Sequence, residues 1–360
     1  MEFGLSAEQM LLQESVGRFL DRHAPLERVK RFVNEHEHRA DDVWAGLSDM
    51  GIPGMLIDER HGGIGLSLLD AALVAEVLGA HVTPAPFVAS VAMVPLAIAA
   101  AGSDAQRSHW LTALAAGQIV AGAAVDKTAN SRDAAHVRAN AGTLSGKALF
   151  VLDFAADVFL VADENHALYL VEANAAGLKR QALTTIDGTR IVGELVLDNV
   201  AADLLPGSSD PNVCARVMDA GRILLAADTL GAAGQMLTRA VAYSKERVQF
   251  GRAIGSFQAV KHLCAEMAAE LEPCRAMLWY AAHAFDALPD EARLAACHTK
   301  AHLSEVGTFV ARTATEVHGG VGFTDELGLH LWFKRIGANR QLLGGPDRLR
   351  QEAAELQQLV

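Results

Sequence analysis

The spacing of hydrophobic positions divides the chain into three regions. In the first, apolar residues recur at helical spacing, and Ser6 with Gln9 forms a capping box that predicts the start of a helix. A glycine-rich loop at 61–65 separates these helices from a second set that begins at Ser67. Residues 1–117 are therefore predicted to form an all-α domain.

The middle region replaces the helical period with short runs of valine, leucine and phenylalanine separated by turns. These runs predict strands at 148–152, 158–162, 167–171 and 191–197. Asn-Ala-Gly at 140–142 and Asp-Gly at 187–188 are typical turn sequences. A small antiparallel β domain is predicted over 118–207.

The helical period returns in the last region, 208–360, with long segments rich in alanine and leucine. They predict helices at 213–245, 257–287 and 291–317, and a shorter one after Asp325. Four such helices pack naturally as a bundle. The predicted fold class is therefore α+β, with an N-terminal α-helical domain, a middle antiparallel β domain and a C-terminal four-helix bundle.

An uncharged run from Val82 to Ser103 is long enough to raise the question of a membrane span. It contains Pro84, Pro86 and Pro95, and proline inside a helix removes a hydrogen bond and clashes with the preceding turn. The run is therefore predicted to be a buried helix pair, and no membrane is expected as a partner.

Composition and charge mainly exclude classes of protein. A formal net charge of −12 without a basic run argues against nucleic acid as a partner. The four cysteines form no CxxC pair and no zinc-like spacing, so reduced thiols and no metal site are expected. The N-terminal sequence lacks the basic and apolar stretches of a secretory signal, and a cytoplasmic location is expected.

Candidate chemistry begins where the first long C-terminal helix is predicted to end. The segment 246–252 contains a glycine turn flanked by Arg247 and Arg252, and 254–262 opens the next helix. Free backbone N–H groups and the helix dipole at such a start favour a phosphate. A helix hairpin with surface charges fits the same residues equally well.

Several short motifs are spread over most of the chain. Tyr-Ser-Lys-Glu-Arg-Val-Gln-Phe-Gly lies at 243–251, Phe-Gln-Ala-Val-Lys-His at 257–262 and His-Gly-Gly-Val-Gly-Phe-Thr at 318–324. Gly-Gly-Ile-Gly-Leu at 62–66 is followed by Val-Ala-Glu-Val-Leu-Gly at 74–79. Together these motifs resemble the signatures of the acyl-CoA dehydrogenase family, and the α, β, α order agrees with that resemblance.

The resemblance implies an FAD that lies between the β domain and the bundle, with its adenosine diphosphate half crossing to a neighbouring subunit. By matching positions, the contacts to the diphosphate and adenine come from Arg247, Gln249, Phe250 and Gln258. Gly319 and Gly320 let the backbone approach the same cofactor closely, because they have no Cβ. His318, on the same loop, is expected to pack against the cofactor or the protein in preference to transferring a proton.

Asp219 and Arg222 resemble the stretch that lines the acyl-CoA channel in the family. They stand three residues apart on one predicted helix, so one can meet the thioester while the other forms an ion pair. An exposed salt bridge is the alternative.

The chain departs from the family pattern at the catalytic base, a carboxylate that removes the α-proton while hydride passes to the flavin. One family position for this base matches Leu343, in Leu-Gly-Gly in place of Glu-Gly-Thr, and the other matches Gly221. Asp228, two turns after Gly221, is a candidate for a relocated base. In the middle region, Leu152 stands where the family has a hydroxyl near flavin N5, and 125–132 keeps little of its flavin loop.

These departures predict a subunit that shares its site with a related dehydrogenase chain in a heterotetramer. The leading hypothesis is α,β-dehydrogenation of a bulky acyl-CoA, such as a steroid side chain, with electrons passed to an electron-transfer flavoprotein. Three alternatives stay open: a homo-oligomeric enzyme with Asp228 as base, a non-catalytic subunit that only contributes FAD contacts, and oxygen-dependent flavin chemistry.

Overall fold

The first region is helical, as its hydrophobic spacing predicts. In a computed structural model that describes residues 4–125 and 136–359, the N-terminal helices are α1 (Ala7–His23), α2 (Leu26–Asn34), α3 (Asp41–Asp49), α4 (Leu68–Ala80), α5 (Val94–Ala101), α6 (Asp104–Gln106) and α7 (Thr112–Ala115). Ser6 caps α1 and bonds reciprocally with Gln9, which confirms the predicted capping box. Ser67 caps α4 in the same way with Asp70.

The uncharged run after α4 forms one buried helical segment, and the predicted helix pair is therefore wrong. A π-helical turn, Val88–Met93, leads directly into α5, and Pro95 falls where the two hydrogen-bonding patterns meet. Where the hydrogen-bonding register changes, the carbonyl one turn back does not depend on the N–H that proline lacks. Within 4–125 and 136–359, every helix is too short or too polar for a bilayer crossing.

The middle region contains two four-stranded sheets. Its strands are β1 (Ala121–Ala124), β2 (Val137–Asn140), β3 (Thr143–Val151), β4 (Val158–Ala162), β5 (Leu168–Glu172), β6 (Leu178–Ala182), β7 (Gly193–Ala201) and β8 (Asp203–Leu204). One sheet has the order β1-β4-β5-β8 and the other β2-β3-β7-β6. The described pairs are antiparallel except β1 with β4, which run parallel.

All four predicted strands are confirmed. The strands that were not predicted lack the runs of branched or aromatic apolar residues on which the prediction depends. β1 is Ala-Gly-Ala-Ala, four buried residues without a branched or aromatic side chain. β6 is an edge strand whose central residues are polar and exposed. The predicted turn at 140–142 joins β2 to β3, with Ala141 and Gly142 both at positive φ as a two-residue hairpin turn requires.

The last region is a helical bundle with a small hairpin between its first two helices. Its elements are α8 (Pro211–Glu246), β9 (Val248–Gln249), β10 (Arg252–Ala253), α9 (Gln258–Ala287), α10 (Pro289–His318), α11 (His330–Gln341) and α12 (Pro346–Leu356). The three long predicted helices are confirmed to within a turn. The predicted short helix is two helices, because the chain breaks at Leu343 and Gly344, both at positive φ.

Buried side chains from all three regions form one continuous hydrophobic core. The N-terminal helices join the bundle by close backbone contact, because α4 packs on α8 through glycines. A Cβ built on Gly79 would lie 2.0 Å from the carbonyl oxygen of Asp228, and one on Gly231 would lie 1.8 Å from that of Glu76. This contact fixes the middle of α8, and with it the residues from Asp219 to Asp228, inside the molecule.

Candidate functional site

The segment between α8 and α9 is a β-hairpin with a phenylalanine at its tip. β9 and β10 pair antiparallel, with Gln249 opposite Arg252, and the turn residues Phe250 and Gly251 have φ of 52° and 76°. A two-residue hairpin turn requires this geometry. The Phe250 side chain is 93% exposed, although its ring also meets the edge of the Phe257 ring at 6.1 Å. An apolar ring in this position is open to a ligand or to another chain.

The other residues predicted to hold the nucleotide end of FAD lie around this hairpin. Arg247 follows the last residue of α8; its N–H donates to the Tyr243 oxygen at 2.8 Å, and its own carbonyl accepts from the Ile254 N–H at 2.8 Å. Gln249 lies on β9 and Gln258 is the first residue of α9, and both are exposed. The structure therefore places Arg247, Gln249 and Gln258 around one hairpin.

A groove of about 510 Å³ lies beside the hairpin, between α8 and the start of α9. Polar and cationic residues line part of it, among them Ser244, Lys245, Ser256 and Lys261. α9 begins here without a side-chain cap, so its first backbone N–H groups have no side-chain acceptor. Cationic side chains and free amides at a helix start favour the anion site over a plain helix hairpin.

The diglycine loop after α10 leaves open space where side chains would otherwise stand. A Cβ built on Gly319 or on Gly320 meets no atom within 4 Å, and Gly319 has φ 64° and ψ −145°, a conformation that favours glycine. Both residues are exposed. The backbone of this loop can therefore be approached closely by a ligand, as the resemblance implies.

His318 joins this loop to α8. Its Nδ1 lies 2.7 Å from the carbonyl oxygen of Ala314, and its ring stacks on Tyr243 with centroids 4.7 Å apart. Burial lowers the pKa of His318 below its usual value. A neutral imidazole that donates to a backbone carbonyl is suited to packing, and Tyr243 lies one turn before Arg247. The stack thus brings the two FAD motifs next to each other.

Asp219 and Arg222, predicted to meet the thioester or to form an exposed salt bridge, are buried in a four-member ion cluster. They pair with each other at 2.9 Å, and Arg222 also donates to both carboxylate oxygens of Glu352 at 3.1 and 2.8 Å. Arg293 reaches the same carboxylate at 2.7 Å. Asp219 is 4% and Arg222 3% exposed, so the exposed salt bridge is wrong. We assign the pair a structural role.

Sequence reasoning missed Glu352, because it lies 130 residues from Arg222 and no local spacing links them. Burial alone would raise the pKa of Glu352, but the hydrogen bonds and charges of Arg222 and Arg293 lower it to about 2. Burial raises the pKa of Asp219 to about 6, despite its contact with Arg222. Within this one cluster, the pKa of Asp219 is therefore raised and the pKa of Glu352 is lowered.

Asp228, the candidate for a relocated base, is enclosed by hydrogen-bond donors. Its Oδ2 accepts from Arg190 at 3.1 Å and from Arg335 at 3.0 Å, and its Oδ1 accepts from Asn339 at 2.6 Å. The side chain is 4% exposed. Because hydrogen-bond donors already occupy both oxygens of this buried side chain, we assign Asp228 to the junction between the three regions and not to proton transfer.

The two family positions for the catalytic base lie side by side. A Cβ built on Gly221 would stand 2.5 Å from Leu343 Cδ1 and 2.7 Å from Met93 Sδ. Leu343 is 2% exposed and Met93 is fully buried, and the Leu343 carbonyl accepts from Arg222 Nε at 3.1 Å. Among the described residues this space holds apolar packing and no carboxylate. The sequence predicted the absence at each position, but not that the two positions touch.

At the flavin-ring end, the two matching positions that the structure describes, Val125 and Leu152, are apolar and buried. Leu152 is 1% exposed and exchanges two backbone hydrogen bonds with Ala123, at 2.9 and 3.0 Å. Val125 is buried, and the predicted remnants of the flavin loop at 126–127 and 130–132 lie outside the described residues. No cluster of possible metal ligands occurs in the part of the chain that the structure describes.

Two family models match the chain. The acyl-CoA dehydrogenase N-terminal domain matches residues 6–118, and the acyl-CoA dehydrogenase C-terminal domain matches residues 212–355. Among curated proteins, acyl-CoA dehydrogenase IpdE2 of Mycolicibacterium smegmatis is 30% identical over 355 residues, covering 98% of this chain and 100% of the relative.

Solved structures extend the similarity through the middle region. A chain of a variant of the Tcur3481-Tcur3483 steroid ACAD superposes with a TM-score of 0.88 at 30% identity, covering 98% of both chains. A chain of the ChsE4-ChsE5 complex from Mycobacterium tuberculosis superposes with a TM-score of 0.91 at 27% identity, covering 99% of both.

Proposed function

The chain belongs to the acyl-CoA dehydrogenase family, and from this premise we propose that it is one subunit of a hetero-oligomer in which a related chain supplies the catalytic base. The reaction of the family is the FAD-dependent α,β-dehydrogenation of an acyl-CoA thioester, and FAD is the cofactor. One observation carries the proposal. Leu343 and Met93 fill the space beside Gly221 where the base would stand.

The residues present fit the nucleotide half of FAD. The open backbone at Gly319 and Gly320 admits a close neighbour, and the exposed Phe250 ring offers a stacking surface for adenine. Arg247 and the uncapped start of α9 suit the diphosphate. Bound FAD supplies the hydride acceptor, and the proposed task of this chain is to hold and orient its nucleotide end. Gln249 and Gln258 complete that set of contacts.

The proposed partner is a second dehydrogenase chain, and the proposed substrate is a bulky acyl-CoA. Two similar structures, the ChsE4-ChsE5 complex and the Tcur3481-Tcur3483 steroid ACAD, are each named for two proteins, and the second is described as a steroid enzyme. A chain without a carboxylate at Gly221 and Leu343, the two family positions for the base, is compatible with such a pair, because the other member can provide the carboxylate. The electron-transfer flavoprotein and the cytoplasmic location stay predictions.

One alternative retains support from the structure. A subunit that contributes FAD contacts and binds no substrate explains the filled space at Gly221 equally well. A homo-oligomer with Asp228 as base is less favoured, because proton transfer would require that carboxylate to leave two arginines and an asparagine.

The test is anaerobic flavin reduction by acyl-CoA, measured on the chain purified alone and on the complex it forms when co-expressed with dehydrogenase chains from neighbouring genes. The proposal expects bleaching of the flavin near 450 nm only in the complex, whose mass shows two kinds of subunit. Reduction by the chain alone overturns it. A complex in which acyl-CoA leaves the flavin spectrum unchanged favours the non-catalytic alternative.

A further inference from the structure

A second cleft, of about 410 Å³, lies where the α2–α3 loop, the β6–β7 loop and α11 meet. Neither the residues assigned to FAD nor the cluster at Asp219 and Arg222 line it. Its apolar lining includes Leu183, Ile191 and Leu331, and its volume is typical of small-molecule sites, which span roughly 300–1,000 Å³. The α2–α3 loop beside it contains His36 at φ 54°, in the left-handed region.

Arg190 lines this cleft with an unsatisfied guanidinium. The side chain is 6% exposed and its Nη2 donates to Asp228, but its Nε and Nη1 have no hydrogen-bond partner among the described residues. Buried donors of this kind are rare in folded proteins, since each leaves its desolvation cost uncompensated. The adjacent carboxylate of Asp153 is bonded elsewhere, to the Ala89 N–H at 2.7 Å.

Among the described residues, Lys334 is the charged side chain of the lining that has no ion pair. Lys334 on α11 is exposed and no ion pair to it is found within the described ranges. Glu37 also lines the cleft, but Arg28 binds both of its oxygens at 2.8 and 2.9 Å. Asp187 faces Arg335 at 3.0 Å. Both carboxylates of the lining are therefore bound by an arginine, although Arg28 also binds Asp42 and Arg335 also binds Asp228. Lys334 has no such partner among the described residues.

We propose that this cleft binds a small amphiphilic anion, a carboxylate or phosphate monoester that carries a short apolar chain. Lys334 and the free N–H groups of Arg190 bind the anionic head, and the leucines beside them take the apolar part. This site is separate from the acyl-CoA dehydrogenation site and does not depend on the proposed subunit role.

The test is calorimetric titration of the purified full chain with octanoate, octyl phosphate, inorganic phosphate and the neutral analogue octanamide. The proposal expects the two octyl anions to bind at least tenfold more tightly than octanamide, and the tighter of the two identifies the head group. If inorganic phosphate binds as tightly as octyl phosphate, the apolar lining contributes nothing to binding. If octanoate and octanamide bind equally tightly, the negative charge of the head group contributes nothing to binding. Either result overturns the proposal.

Variants separate this cleft from any acyl site elsewhere. Lys334→Gln is expected to weaken octyl-anion binding by about two- to fivefold, the effect of losing one exposed charge contact, whereas Lys179→Gln on exposed β6 leaves it unchanged. Thr184 is exposed and lines the cleft; Thr184→Asp is expected to abolish binding by like-charge repulsion, and its neutral isostere Thr184→Asn to preserve it. If neither Lys334→Gln nor Thr184→Asp changes the affinity for octyl anions, the ligand binds elsewhere and the proposed location is refuted.

Discussion

At the residue scale, the space between α8 and the α11–α12 break is apolar where the family places a carboxylate. Gly221, Leu343 and Met93 fill it, and a glutamate restored at either family position must enter a closed volume. Leu343→Glu is expected to destabilise the chain by about 3 kcal/mol or more, because a buried carboxyl group without a partner is costly. It is also expected to give the isolated chain no acyl-CoA-dependent flavin reduction. Urea unfolding and anaerobic mixing measure the two effects.

Leu356→Glu is the matched control, since Leu356 is 44% exposed at the end of α12. It is expected to change the free energy of unfolding by less than about 0.5 kcal/mol. A stable Leu343→Glu variant that reduces its flavin with octanoyl-CoA would show that the space is an open acyl site.

The buried pair of Glu352 with Arg222 predicts a specific pH dependence of stability. The pKa of Glu352 falls from an ordinary 4.5 to about 2 in the folded chain, so its contribution is complete above pH 4.5 and is lost as pH falls toward 2. Glu352→Gln is therefore expected to cost about 3 kcal/mol at pH 7, with the difference from wild type shrinking below pH 4.5. Urea unfolding across this pH range measures it.

The control for Glu352→Gln is Glu305→Gln, which breaks an exposed ion pair between α10 and α12. Glu305 binds Arg350, but their side chains are 43% and 48% exposed. A loss of at most about 1 kcal/mol is expected there. Both variants retain Asp219, whose pKa is raised to about 6 in the folded chain. The contribution of Asp219 to the free energy of unfolding therefore falls as pH rises from about 4 to 6. Each variant must for this reason be compared with wild type at the same pH. Equal losses in the two variants would contradict the burial argument.

At the scale of elements, the hairpin between α8 and α9 is an exposed part of the proposed FAD site, with Phe250 93% exposed at its tip. Gly251 has φ 76°, and a β-branched side chain resists that conformation by about 1–2 kcal/mol. Gly251→Val is expected to distort the hairpin and lower the flavin content of the complex while the bundle stays folded. Absorbance at 450 nm per mole of protein and far-ultraviolet circular dichroism measure the two. Gly234→Ala, within α8 and without neighbours within 4 Å of its Cβ, is expected to change neither.

Some of these elements are predictable from the spacing of hydrophobic residues, and others are not. The long helices α8, α9 and α10 follow from sustained helical spacing, and β4 and β5 follow from compact apolar runs. β1 has no such signal, because buried alanines are equally at home in helices. The helix pair predicted for 82–103 was wrong because prolines mark a change in hydrogen bonding as well as a break.

The contacts within the candidate site were likewise only partly predictable from the sequence. The motifs at 243–251 and 318–324 lie far apart in sequence, and only their resemblance to a family predicts that they act together. The Tyr243–His318 stack brings them into contact in the fold. The partners of Arg222 and Asp228 were not predictable, since α8 meets α11 and α12 only after the chain has folded back. Burial gave structural roles to one candidate pair, Asp219 with Arg222, and to the candidate base Asp228. Burial of a charged side chain has no short-range signature.

At the scale of the whole molecule, the three regions share one core, and the cluster around Asp228 ties them together. Arg335 on α11 donates to Asp228 on α8, to the Thr83 carbonyl near α4 and to Thr189 in the β6–β7 loop. These bonds fix the bundle against the other two regions. The hairpin and the diglycine loop, by contrast, present exposed residues at the surface. The proposed contacts with FAD and with a second chain therefore lie at the edge of the subunit.

The most direct test of this account is the flavin content of the complex when Arg247 is changed to alanine, with Arg138→Ala, an exposed arginine on β2, as control. Native mass spectrometry and absorbance at 450 nm give the subunit composition and the flavin per complex in one preparation. The account predicts an intact complex that loses most of its flavin in Arg247→Ala and keeps it in Arg138→Ala. An intact Arg247→Ala complex with a full complement of flavin would contradict it.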